Sequence, residues 1–176
     1  MSSIAFSSLH LKPAMLKNLA SLGYAAMTPI QAHSLPPILA GKDLIARAKT
    51  GSGKTAAFGI GLLSRLDTTA LQLQALVLCP TRELADQVAK ELRRLARFTE
   101  NIRVLTVCGG VPFGPQLGSL EHGAHVVVGT PGRLLDHLRR GSLDLSSLQT
   151  LVLDEADRML DMGFQDDIRS LIAAAP

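Results

Sequence analysis

Residues Ala48-Lys49-Thr50-Gly51-Ser52-Gly53-Lys54-Thr55 form a glycine-punctuated loop between an apolar, strand-like run at Leu44 to Ala48 and a longer run of helical period. Such a loop restricts a fold tightly, because its chemistry is that of a turn from a buried strand into a helix. Gly51 and Gly53 lack a Cβ, so the backbone can take positive φ and bring its N–H groups close to an anion. Lys54 opens the helix, where its ammonium and the exposed backbone N–H groups meet the same negative charge. Thr55 follows with a hydroxyl suited to magnesium. The stretch matches G-x-x-x-x-G-K-[ST] with Ala48 in place of the first glycine, and it implies that Thr50 to Thr55 bind the phosphates of a nucleoside triphosphate. A plain Gly-Ser turn would also join a strand to a helix, but the full pattern disfavours it.

The rest of the chain repeats that strand-then-helix rhythm. Apolar runs at Leu44 to Ala48, Ala75 to Cys79, Val104 to Val107, Val126 to Gly129 and Leu151 to Leu153 alternate with segments of helical period. From Glu83 to Phe98, Leu84, Val88, Leu92 and Leu95 fall on one face, and Asp86 and Lys90 are spaced for a helical ion pair. Thr28, Thr81 and Thr130 are expected helix caps, two of them followed by proline. Gly23, Gly41, Gly123 and Gly141 stand where helices should end. Buried strands linked by helices predict a mostly parallel sheet with helices on both faces and ligands at the carboxyl ends of the strands.

A length of 176 residues with 47% hydrophobic and 19% charged residues suits one domain with a substantial core. The net charge of +3 permits an anionic partner without identifying one. The uncharged stretch Thr68 to Thr81 is too short to span a bilayer, and the N-terminus has no secretory pattern, so a cytosolic protein with no membrane partner is expected. Cys79 and Cys108 are far apart and read as buried reduced thiols, and His122 and His125 lack further ligands at zinc-like spacing.

Asp154, Glu155, Ala156 and Asp157 follow Thr-Leu-Val-Leu, so a buried strand ends in a carboxylate cluster, expected at the same edge as the phosphate loop. One carboxylate can hold a phosphate-bound Mg²⁺ through water while its neighbour orients the attacking water. Asp154 fits the first role and Glu155 the second.

With these residues in place, nearly the whole chain resembles the N-terminal RecA-like P-loop domain of DEAD-box RNA helicases, residues 1–176 forming one helicase ATP-binding domain. Phe6, Gly23-Tyr24 and Thr28-Pro29-Ile30-Gln31 resemble the family's Q motif, which would run from about residue 6 to residue 31. The resemblance implies that Gln31 reads adenine, through an amide able to donate and accept at once, and that Phe6 and Tyr24 pack near the base. Met27 stands where proline is usual, a change expected to loosen that loop. Pro80-Thr81-Arg82, Gly109-Gly110 and Thr130-Pro131-Gly132-Arg133 match the RNA-contacting motifs, each after a predicted strand. Helix N-termini and glycine amides suit phosphate oxygens, and Arg82 and Arg133 suit either phosphate contacts or internal salt bridges. Lys54, Asp154, Glu155 and Asp157 are thereby the catalytic candidates, with Asp157 linking the nucleotide site to the RNA-facing motifs. An aromatic content of 3% leaves little for base stacking, so backbone recognition is expected.

The wording from Leu76 to Val88, from Cys108 to Gly114 and from Asp154 to Phe164 is similar to the bacterial DbpA type within that family. That likeness implies ribosomal RNA as partner in large-subunit assembly, through a C-terminal RNA-binding domain outside this chain. The chain ends at Pro176, before the Ser-Ala-Thr motif and its strand, and is expected to be a truncated piece that lacks the second RecA-like domain and hydrolyses ATP very slowly. The resemblance implies an ATP-dependent RNA helicase using ATP and Mg²⁺. A nucleotide-gated RNA clamp or assembly factor remains the alternative, and a GTPase or small-molecule kinase is disfavoured by Gln31 and by the missing Asn-Lys-x-Asp motif.

Overall fold

The computed structural model describes residues 3–176, which divide into two compact units: residues up to Leu66 with Glu91–Glu100, and Asp67–Lys90 with Asn101–Pro176. In the first unit a 3-10 turn at Phe6–Ser8 precedes α1 (Pro13–Ser21), α2 (Pro29–Leu39) and α3 (Lys54–Arg65). Proline opens both α1 and α2, where its missing N–H costs nothing. α1 ends in a glycine cap: Gly23 takes φ +80°, and the N–H groups of Gly23 and Tyr24 return to the Ala20 and Leu19 carbonyls at 3.1 and 2.9 Å. α2 packs on α3, and Gly61 allows the approach, since a Cβ there would collide with the Ile38 side chain.

The second unit carries the sheet. β1 (Ala75–Leu78), β2 (Val104–Val107), β3 (Val126–Gly129) and β4 (Thr150–Leu153) run parallel in the order β2-β3-β1-β4. Leu76 aligns with Val127 on one side and Leu151 on the other. β1 and β3 are buried along their whole length, which suits their short, branched, uncharged sequences. Between and after the strands come α4 (Arg82–Leu95, of which Glu91 onward belongs to the first unit), α5 (Phe113–Glu121), α6 (Pro131–Arg139), α7 (Ala156–Asp161) and α8 (Gln165–Ala174). Leu76, Leu78 and Val127 share one apolar core with Leu134 of α6, Met159 of α7 and Ile168 and Leu171 of α8. Val77, Val126 and Val128, which alternate to the opposite face, are equally buried.

Four of the five expected strands form. The fifth, Leu44 to Ala48, does not: residues 42–49 are irregular, and Ile45 is 96% exposed. This run pairs with no strand among the described residues, and a lone extended segment leaves its backbone groups to water. Asp86 also differs from expectation, lying 3.9 Å from Arg82 across one helical turn instead of pairing with Lys90. Among the described residues no helix is long and apolar enough to cross a membrane.

Gly129 closes β3 at a point where a Cβ would overlap the Val107 carbonyl oxygen and lie 2.9 Å from Leu134 Cγ. Gly129→Ala should therefore cost about 1–3 kcal/mol, as overpacking does. Gly118, inside α5 with nothing within 4 Å of its Cβ position, should instead gain roughly 0.5–1 kcal/mol as alanine. Urea-unfolding midpoints of the two variants should move in opposite directions.

Candidate nucleotide and phosphate-backbone sites

The phosphate loop has the backbone its glycines allow. Gly51 and Gly53 take φ +82° and +91°, and Gly53 is the cap from which α3 starts at Lys54. The Ser52 N–H donates to the Lys49 carbonyl at 3.1 Å and the Ala57 N–H to that of Gly53 at 3.1 Å. Lys54 and Thr55 are half-buried in the first turn of α3. Ser52 Oγ is buried and makes no hydrogen bond among the described residues, so the loop holds a hydroxyl that a ligand oxygen can satisfy. A Cβ on Gly51 would meet open space, whereas one on Gly53 would lie 2.5 Å from Gln31 Nε2.

That contact exists because Gln31 reaches into the loop from α2. Its Oε1 accepts from the Thr28 N–H at 2.9 Å and its Nε2 donates to the Gly53 carbonyl at 3.1 Å, with the residue 3% exposed. The amide assigned to adenine by sequence thus bridges the start of α2 and the phosphate loop. Phe6 is buried with its ring centroid 6.3 Å from that of Tyr24, and both line a hollow of about 300 Å³ together with Leu16, Leu19 and Gly23. The Tyr24 hydroxyl donates to Glu91 Oε1 at 2.8 Å, and Arg94 holds the other oxygen of that carboxylate at 2.8 Å. Burial and the Glu91 carboxylate raise the Tyr24 phenol above its usual range. The Met27 N–H donates to the Ile4 carbonyl at 2.8 Å, a bond that proline in its place could not make.

In the second unit Asp154 follows β4 and is 4% exposed. Glu155 takes the left-handed backbone at φ +53° and caps α7, with its carboxylate 3.3 Å from Arg158. A non-glycine residue pays roughly 1–2 kcal/mol for that conformation, a strain typical of functional positions. Asp157 is exposed in the first turn of α7. The carboxylates and the phosphate loop belong to different units. Among the described residues no three His, Cys, Asp or Glu side chains cluster as a metal site.

Three loops leave the carboxyl ends of β1, β2 and β3, so the parallel register puts Pro80-Thr81-Arg82, Gly109-Gly110 and Thr130-Pro131-Gly132-Arg133 on one edge. Pro80 and Pro131 are buried there, while Gly132 is half-buried. Thr81 caps α4 as expected, its Oγ1 accepting from the Leu84 N–H at 3.2 Å. Thr130 does not cap α6 with its side chain and accepts instead from the Gly109 N–H at 3.2 Å, tying two of the loops together. Arg82 is exposed beside Asp86. Arg133 turns inward: its NH1 donates to the Val111 carbonyl and to Gln116 Oε1, both at 2.9 Å. Cys79 and Cys108 are buried free thiols beside these loops, the latter pushed up by burial to about 11.

The sequence reading missed Gln116 and His137. Gln116 Nε2 donates to the Cys108 carbonyl at 2.8 Å, and its Oε1 takes the His137 Nε2–H at 3.1 Å. His137 is fully buried, stacks on Phe113 at 4.0 Å and has its Nδ1 2.8 Å from Ser142 Oγ. The one sequence trace of this network is the spacing of Arg133 and His137, one helical turn apart.

A phosphate-loop α/β domain with ligand loops at the carboxyl edge is the class these features define. The DEAD/DEAH box helicase family model matches residues 28–176, and the chain belongs to that family. It is 65% identical over 173 residues to the ATP-dependent RNA helicase DbpA of Escherichia coli (strain K12), covering 98% of this chain and 38% of that protein. It is 48% identical over 175 residues to the ATP-dependent RNA helicase DeaD of Mycobacterium tuberculosis (strain CDC 1551 / Oshkosh), covering 99% of this chain and 31% of that protein. The crystal structure of a DEAD box protein from the hyperthermophile Methanococcus jannaschii matches all of this chain and 48% of its own, with TM-score 0.94 and 38% identity. The chain thus spans less than half the length of these relatives.

Burial, then the Arg133 charge, lower the His137 pKa below its usual 6.5, with Arg140 adding to the shift and Asp136 opposing it. Below pH 6.5 the unfolded chain takes up a proton that the folded chain resists, so this contribution is complete above pH 6.5 and is lost as pH falls through the folded value. Urea midpoints measured from pH 7.5 downward, at roughly half-unit steps, should show wild type losing stability faster than His137→Phe across that window.

Proposed function

We propose that this chain supplies the ATP-binding and RNA-backbone-binding half of an ATP-dependent RNA helicase, in which hydrolysis drives local opening of short duplexes. By likeness to the DbpA type, its target is ribosomal RNA during large-subunit assembly in the cytoplasm. The observation that carries this reading is the phosphate loop, with two left-handed glycines, an unsatisfied Ser52 hydroxyl and Lys54 opening α3. Thr50 to Thr55 would hold the phosphates, with Phe6, Tyr24 and Gln31 at the base.

By likeness to the family, Thr55 would supply a hydroxyl and Asp154 a carboxylate to Mg²⁺, hard oxygen donors of the kind and small number that the ion takes while keeping several waters. When bound, the ion neutralises phosphate charge. Glu155 would orient the attacking water and accept its proton, and Asp157 would link the nucleotide site to the RNA-facing loops. Thr81, Gly110, Thr130 and Gly132 would meet phosphate oxygens of RNA, with Gly109 tied to Thr130 to shape the turn. Fast turnover would require a second RecA-like domain bearing an arginine finger, a group worth roughly 10³ to 10⁵ in rate.

In the full-length protein, Glu155→Gln should lower RNA-stimulated ATP turnover by about 10² to 10⁴, the contribution of a general base, and abolish multiple-turnover unwinding of a short RNA duplex. Nucleotide affinity should stay within about twofold of wild type. A wild-type protein that retains RNA in the presence of ATP without unwinding would contradict the helicase reading and identify a nucleotide-gated clamp.

A further inference from the structure

Gly109 and Gly110 lie between two carbonyl groups that are both held from inside the fold. The Cys108 carbonyl accepts from Gln116 Nε2 at 2.8 Å, and the Val111 carbonyl accepts from Arg133 NH1 at 2.9 Å. The two holds are joined, because Gln116 Oε1 also accepts from Arg133 NH1 at 2.9 Å. With the amide nitrogen committed to Cys108, the oxygen faces His137, whose Nε2 must carry the proton. The ring has little freedom to leave, being fully buried, stacked on Phe113 at 4.0 Å and bonded at Nδ1 to Ser142.

We propose that Gln116 and His137 are positioning residues for RNA, fixing the Gly109-Gly110 turn so that its exposed backbone meets a phosphate, and that Arg133 serves this same internal frame. The proposal rests on the RNA-backbone reading of this edge. Gly110 has the geometry such a turn requires: φ +81°, exposed, and nothing within 4 Å of where a Cβ would stand. Thr130 Oγ1 holds the Gly109 N–H from the neighbouring loop, so the turn is clamped by donors and acceptors on both sides. Gln116→Leu frees the Cys108 carbonyl and removes the amide oxygen that helps hold Arg133 against the Val111 carbonyl. His137→Phe keeps an aromatic ring to stack on Phe113 and removes the proton that orients the amide.

The test uses this chain, a fluorescein-labelled single-stranded oligouridine and a salt series, with amide hydrogen exchange and fluorescent-ADP binding measured on the same proteins. Gln116→Leu should weaken RNA binding about tenfold and His137→Phe about threefold, without changing the slope of log K against log salt, because no cationic phosphate contact is lost. His137→Gln, which restores a donor, should recover part of that loss. Exchange at Gly109, Gly110 and Val111 should accelerate in both weakened variants while ADP affinity holds. Unchanged RNA affinity in both, or RNA and ADP affinities falling together, overturns the proposal. A fall in salt slope of about one for Arg133→Leu would return Arg133 to a direct phosphate contact and overturn its place in the frame. If Gln116→Leu does not fold, His137→Phe and His137→Gln decide. Absence of oligouridine binding by wild type would sink the RNA reading of this edge and this proposal with it, an outcome distinct from wild-type binding that the variants leave intact.

Discussion

Parallel pairing is the constraint on which the second unit depends. Because β1, β2, β3 and β4 all run the same way, every loop that leaves a strand end emerges at one edge, and each return to the opposite edge needs a crossing segment. Hydrogen bonding in the ladder sets the strand register, with Leu78 level with Gly129 and Leu153. Thr81, Gly109, Thr130 and Asp154 therefore sit within three residues of equivalent strand ends. Four sequence segments separated by up to about seventy residues become neighbours through backbone geometry alone, before any side chain contributes.

Side chains then decide how firmly that edge is held. Its polar groups are largely spent on one another: Thr130 on Gly109, Arg133 on Val111, Gln116 on Cys108. Buried networks of this kind stiffen a site only when every member is satisfied, and the carbonyl groups on both sides of Gly109-Gly110 are. The phosphate loop in the first unit follows another logic. Its shape comes from glycine backbone angles and from one amide, Gln31, whose nitrogen bonds the Gly53 carbonyl. A base that recruits that nitrogen must take it from the loop, so base recognition and loop geometry draw on the same hydrogen bond.

Much of this was legible in the sequence. β1 to β4 fall within one residue of their expected positions, because short uncharged runs of Val and Leu have few alternatives to a buried parallel strand. The glycine caps at Gly23, Gly41, Gly123 and Gly141 all take positive φ, a local property that glycine signals directly. The failures are tertiary. Leu44 to Ala48 has a strand's composition, but pairing is a property of a partner, and no described strand supplies one. Thr130 has a cap's identity and position yet spends its hydroxyl on a loop 21 residues away. Arg133 reads as suited to a phosphate contact or an internal salt bridge, and only the structure shows NH1 spent on the Val111 carbonyl and Gln116 Oε1. Composition and periodicity report burial and local backbone, and they are silent on which polar atoms meet across the sheet.

The central claim is that this chain holds an adenine nucleotide through its phosphate loop and Gln31. The most direct measurement is a fluorescent-ADP titration of the chain, competed separately with ATP and GTP, on wild type and on Gln31→Ala. The account predicts saturable binding that ATP displaces at least about tenfold better than GTP, the worth of one well-made hydrogen bond, and a preference that Gln31→Ala erases. Equal displacement by the two nucleotides, or a preference that survives Gln31→Ala, would contradict it.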